Sequence, residues 1–314
     1  MRFIMMLTGL TVAALPALAQ KEAPPAPGTP KDFRLPPRKT FTLANGMRVS
    51  LVHYGLVPKV ALNLDLATGA IDEGPDEVQL SGLTADMLLE GTTTRAAADI
   101  SRQAAEMGGT LSAFSGDDAV NLSGEVLSEN AERFVALVAD VALHPKFAAP
   151  DVDRLRANRS RDNAIAQSQP YQLTRAKFRA MIFGDHPYGR VFPAEQMLAG
   201  YTPEKVRAFY AANFGARRAH LYVSGVFDAA KVERAIRTAF SGWVRGPEAT
   251  VKPPTPVDHR QVELLDRPDA VQSSLRVGLP VADPSSPDWI PLNVTDALLG
   301  GTFGSRITSN IRED

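Results

Sequence analysis

Asn45-Gly46 lies between two alternating apolar runs, Lys39–Leu43 and Met47–Val52, and commits the start of the folded chain to a β-hairpin. Asn-Gly between two alternating runs is the strongest short-range signal of a hairpin turn. The period of two then turns one face of each strand toward a core. Val60–Leu66 alternates even more regularly and is predicted to be a third strand. A sheet begun in this way needs a covering layer, and the next segments change period to supply one.

Helices are predicted over 79–90, ended by Gly91, and over 96–107, stopped by Gly108-Gly109. Residues 110–115 and 119–126 read as strands around the turn Gly116-Asp117-Asp118. Helices follow from Ser128, over 150–167, over 171–183, and over 203–213 behind a Thr202 cap. Ala219–Gly225 reads as a buried strand, and Asp228 opens a helix to about Phe240. Beyond the Pro-rich stretch 246–258, residues 261–265 and 271–277 look strand-like, and 288–299 helical. The expected class is α+β: a mixed or antiparallel sheet packed by helices over 39–245, a linker over 246–258, and the start of a second domain over 259–314. That last stretch is too short to bury a comparable core, so the chain is expected to be part of a longer product, leaving Leu298, Leu299 and Ile307 uncovered.

Residues 1–19 have the layout of a cleavable export signal: Met1-Arg2, an apolar run from Phe3 to Pro16, and the small-residue site Ala17-Leu18-Ala19. Residues 20–38 are Pro-rich and read as an extended tether. No later stretch is apolar enough to span a membrane, so no span is expected in the mature chain. A periplasmic location is expected, which suits a chain with no cysteine. The absence of cysteine also excludes disulfides, thiolate nucleophiles and Cys-ligated zinc. Lys+Arg total 34 against 35 Asp+Glu, so there is no basic excess to hold nucleic acid.

The residues offer little visible catalytic chemistry. His53, His144, His186, His220 and His259 are too far apart for two to share a helix face, which excludes a zinc site built on one helix. His144 and His186 each precede a proline and are expected in loops, whereas His220 lies in an apolar strand and is expected to be a satisfied sheet residue. Ser224-Gly225 lacks the glycine spacing of a nucleophile elbow. Gly300-Gly301-x-x-Gly304 follows a helix rather than a strand, so it reads as a helix terminus and not a phosphate cradle.

Five stretches in order resemble the insulinase (pitrilysin) family of zinc peptidases and its processing-peptidase relatives: TFTLANGMRVSLV (40–52), MLLEGTTTR (87–95), MIFGDHPYGR (181–190), YTPEKVRAFYAANFGARRAHLYVSG (201–225) and NVTDALLGGTFGSRITSNIRE (293–313). The resemblance implies a processing-peptidase-like domain that normally carries His-x-x-Glu-His on its first helix, with two zinc-binding histidines and a general base between them. Anchored on Gly91-Thr92, the histidine positions fall on Gly82 and Asp86 and the base on Ala85. A register shifted by three gives Ala85, Leu88 and Leu89. The motif is absent in both, and Asp86 and Asp162, the latter near the family's distal glutamate, are weak metal candidates without imidazoles.

The resemblance therefore implies a bacterial periplasmic member that is not catalytic alone. It would hold no cofactor, close a peptide chamber against a zinc-bearing partner subunit, and contact the peptide substrate through Arg312. A tyrosine that accompanies this arginine in the family would fall beyond Asp314. Two other readings stay open: a stand-alone peptide-binding or structural protein that has lost catalysis, and an active metallopeptidase with atypical ligands.

Overall fold

The computed structural model describes residues 28, 29, 32, 34–255, 257–268 and 270–312. The export signal read over 1–19 lies outside the described residues, as does most of the tether read over 20–38. Described tether residues before Arg38 form no helix or strand.

Among the described residues from Pro36 onward, six strands and ten α-helices follow in chain order. They are β1 (Arg38–Thr42), β2 (Arg48–His53), β3 (Lys59–Leu66), α1 (Leu80–Leu88), α2 (Ala97–Glu106), β4 (Thr110–Ser115), β5 (Val120–Leu127) and α3 (Ala131–Leu143). Next come α4 (Ala149–Ser168), α5 (Pro170–Phe183), α6 (Glu195–Ala199), α7 (Pro203–Asn213), β6 (Ala219–Gly225), α8 (Ala229–Phe240), α9 (Trp289–Asp296) and α10 (Arg306–Arg312). The class is α+β, as the alternation predicts.

The sheet order is β1-β2-β6-β3-β5-β4. Every pairing is antiparallel except β2 with β6, so the sheet is mixed. The β1–β2 hairpin turns at Gly46, whose φ of 99° lies where only glycine sits without strain. Asn45 secures the turn by donating from Nδ2 to the carbonyls of Phe240 and Trp243.

Alternation decides the two faces. Val49, Leu51, Leu62, Leu64, Leu221, Val223 and Leu122 enter the core beneath the helices. The opposite face carries Ser50, His220, Tyr222, Asn63, Asp65, Asn121 and Ser123. There Asp65 accepts from Asn63 and Asn121, and Ser50 Oγ lies 3.0 Å from His220 Nε2, so His220 is a partnered sheet residue as expected. His144 ends α3 and His186 caps a short 3₁₀ turn, both outside regular strands and α-helices. The caps foreseen at Thr202 and Asp228 form.

The C-terminal stretch differs from expectation. Residues 261–265 and 271–277 form no strand. A strand needs a neighbour for its backbone groups, and this segment instead runs beside α5. Lys177 Nζ pairs with Glu263 at 3.2 Å, and the Arg276 guanidinium lies 4.4 Å from the Tyr171 ring centroid. The helix read over 288–299 ends at Asp296 and passes into a π-turn over Ala297–Gly301. Leu298, Leu299 and Ile307 are exposed. Two short helices, α6 and α10, were not foreseen because neither shows a full apolar period.

Candidate functional site

The α1 helix holds the positions at issue, and its start is tightly built. Gln79, just before α1, has φ 69°, a left-handed conformation that disfavours a residue with a Cβ. Glu73 compensates by accepting from the backbone N–H of Gln79 and of Ser81, each at 2.9 Å, and from the Ser81 hydroxyl at 2.5 Å. Its carboxylate thus meets the donors and the positive dipole end of α1. Burial nevertheless pushes the Glu73 pKa up, against the pull of the Ser81 and Gln79 hydrogen bonds and the Arg159 charge.

Gln79 also reaches α4. Its Nε2 donates to Asn163 Oδ1 at 2.9 Å and to the Val191 carbonyl at 3.0 Å, and Asn163 Nδ2 donates back to Gln79 Oε1 at 3.0 Å. One turn earlier on α4, Arg159 Nη2 donates to Asp86 Oδ2 at 2.7 Å. Its guanidinium spreads across Gly82, where a Cβ would stand 2.9 Å from Nη2 and 3.0 Å from Nη1. Gly82 is therefore the space that admits Arg159.

The structure brings Gly82 and Asp86 together on the side of α1 that meets α4, and buries Ala85 completely. In the shifted register Leu88 is also fully buried, so neither alignment supplies ligand chemistry. Asp162 is exposed and makes no hydrogen bond or ion pair among the described residues, while its neighbour Asn163 turns inward. No group of three or more His, Cys, Asp or Glu side chains converges among the described residues. The zinc chemistry implied by the resemblance does not fit this set: imidazoles are missing, and the single nearby carboxylate on α1 is already paired with a cation.

The Gly-Thr loop after α1 forms a second polar node. Asp140 of α3 accepts from Thr92 Oγ1 at 2.6 Å and pairs with Arg95 Nη1 at 2.7 Å, with His144 Nδ1 3.2 Å away. Burial would raise the Asp140 pKa, but the Thr92 and Arg95 hydrogen bonds outweigh it and hold the group below its ordinary value. Arg312, at the end of α10, is exposed and stacks 5.1 Å from the centroid of Phe303. No hydrogen bond or ion pair joins it to α1 among the described residues.

Among the described residues the sheet ends in two edge strands, β1 and β4. β4 pairs only with β5, and its Phe114 is 67% exposed. Ser115 Oγ at the end of β4 donates to Ser81 Oγ at 3.0 Å, which ties this edge to the start of α1. Sequence reasoning missed Glu73, Gln79, Asn163 and Arg159. Only Asn163 left a signal, as the neighbour of an expected helix position.

A family profile described as "Insulinase (Peptidase family M16)" matches residues 48–192, and one described as "Peptidase M16 inactive domain" matches 200–314. An uncharacterised zinc protease of Mycobacterium leprae is 28% identical over 278 residues, which cover 87% of this chain and 62% of that protein. This chain thus spans less than two thirds of that relative. The crystal structure of a peptidase M16 inactive domain from Pseudomonas fluorescens is similar with a TM-score of 0.74 at 21% identity, covering 88% of this chain and 68% of the other. The periplasmic protease PqqL of Escherichia coli is similar with a TM-score of 0.62 at 18% identity, covering 73% of this chain and 26% of the other. Together with the fold and with the residues found at the motif positions on α1, these likenesses identify the chain as a member of the insulinase family, peptidase family M16, that lacks the inverted zinc motif.

Proposed function

We propose that this chain is a non-catalytic subunit of a periplasmic insulinase-family zinc peptidase. It would close a peptide chamber against a partner subunit that carries the zinc. The observation that carries this reading is the helix α1, which keeps its place in an insulinase-type fold but bears Gly82, Ala85 and Asp86 where the family's ligands and base belong. The free β4 edge supports contact with an extended peptide, because unpaired strand groups accept a further strand. The periplasmic location is supported by the leader-like residues 1–19 and by the likeness to PqqL. In this reading the chain has a first domain over 39–245 and a second beginning at 259. The exposed Arg312 then donates to a substrate carbonyl or a developing oxyanion in the partner's site.

The test is to purify the tagged full-length protein from the cells that make it and identify what comes with it. A zinc-motif subunit should co-purify, and the pair should hydrolyse peptides in a chelator-sensitive way. Arg312→Ala should lower turnover of the pair by about tenfold to a hundredfold. Chelator-sensitive peptidase activity of this chain alone would overturn the reading. A second reading, a stand-alone peptide-binding protein, is favoured by the same free edge. It predicts peptide binding without a partner and no effect of Arg312→Ala on any peptidase.

A further inference from the structure

The cleft between α1 and α4 holds a positive charge of its own. Arg159 lies across Gly82 and Asp86, the two positions one turn apart on α1 to which the resemblance assigns the family's histidines. Its Nη2 bonds Asp86, and its guanidinium plane rests where a side chain at position 82 would have to start. A Cβ at 2.9 Å from Nη2 is closer than real side-chain contacts, so a side chain added at 82 requires the flexible end of Arg159 to move aside. Asp86, the one ligand-type side chain left at the motif positions, already has a cation.

We propose that Arg159 takes the place of the family's metal ion. It is a permanent cation that neutralises Asp86, ties α4 to α1 and keeps divalent ions out. A guanidinium carries this charge at all working pH values and donates in fixed directions. It has no coordination position to offer, so the exchange keeps a positive charge between the two helices and removes the Lewis acid. This assignment concerns the chain alone and stands whether or not a partner subunit is found.

Zinc titration against a chromophoric chelator tests it on two variants of the full chain. One carries Gly82→His, Ala85→Glu and Asp86→His with Arg159 kept; the other adds Arg159→Ala. The variant retaining Arg159 should bind zinc at least about tenfold more weakly, because a guanidinium kept on α4 beside the site repels the ion. Equal affinities would overturn the proposal. A double-mutant cycle on the natural chain reads the pair without restoring any ligand. Because Asp86 is 42% exposed, Arg159→Ala and Asp86→Ala should each lower Tm by only about 2–4 °C. The double variant should fall no further than the larger single one. Additive losses would overturn the proposal.

Discussion

Gln79 and Asn163 exchange two hydrogen bonds, Nε2 to Oδ1 at 2.9 Å and Nδ2 to Oε1 at 3.0 Å, across 84 residues of sequence. This amide pair anchors a residue with positive φ at the start of α1 to the middle of α4. Asn163→Ala would leave the Gln79 oxygen unpaired and loosen a strained backbone position. The expected cost is about 1–2 kcal/mol in urea unfolding. Asp162→Ala, one residue away and exposed, should stay within about 0.5 kcal/mol. Equal losses would show that the inward turn of Asn163 contributes nothing.

Glu73 sets an unusual pH dependence. Its folded pKa is raised, chiefly by burial, so the folded chain holds the proton more tightly than the unfolded chain. Its contribution is fully present below the unfolded value near 4.5 and declines as pH rises through the folded value. Glu73→Gln removes the titration while keeping one acceptor oxygen for the Ser81 and Gln79 donors. The stability deficit of this variant should therefore be largest near pH 4 and shrink toward neutrality. Thermal melts across that range check it, and a deficit that grows with pH contradicts it.

Asp140 behaves in the opposite sense. Burial raises its pKa, but donation from Thr92 and Arg95 prevails and the value is lowered, so its stabilisation is present above the ordinary carboxylate range and fades as pH falls through the folded value. The side chain is 11% exposed, so removing it strands Arg95 and two threonine hydroxyls. Asp140→Ala should cost about 2–4 kcal/mol at pH 7. The gap from the natural chain should close as pH falls through the lowered folded value. A gap of constant size across the range would assign the loss to packing.

Local pattern made most of the fold readable, and its limits are physical. The Asn45-Gly46 hairpin, the Thr202 and Asp228 caps and the alternating β3 each carry their instruction within a few residues. The insertion of β6 between β2 and β3 does not, because its partners lie about 170 residues upstream. Alternation over 261–277 names residues able to form strands, but without a neighbouring strand the described ones form none. On α4 one residue is about 100° of rotation, so a spacing argument that lands on Asp162 misses the inward-facing Asn163. Arg159 left no local trace, since its meaning comes from a glycine and an aspartate 73 and more residues earlier.

The β4 edge allows a sharper test of peptide contact. Gly116 N–H bonds the Ala119 carbonyl and closes the β4–β5 turn. Antiparallel ladders alternate from such a pair, so Phe114, Ser112 and Thr110 bond to β5, while Ser115, Ala113 and Leu111 turn their N–H groups outward. Proline at an outward position keeps every ladder bond, which is why sheet edges tolerate it. Ala113→Pro should therefore fold with a loss of no more than about 1 kcal/mol, whereas Phe114→Pro breaks a ladder bond and should cost about 3 kcal/mol. Fluorescence anisotropy with fluorescein-labelled casein peptides would read binding by the full chain. If peptides add as a strand along β4, Ala113→Pro should weaken that binding at least about tenfold without unfolding the domain. Unchanged affinity in a folded Ala113→Pro variant would move the peptide site off this edge.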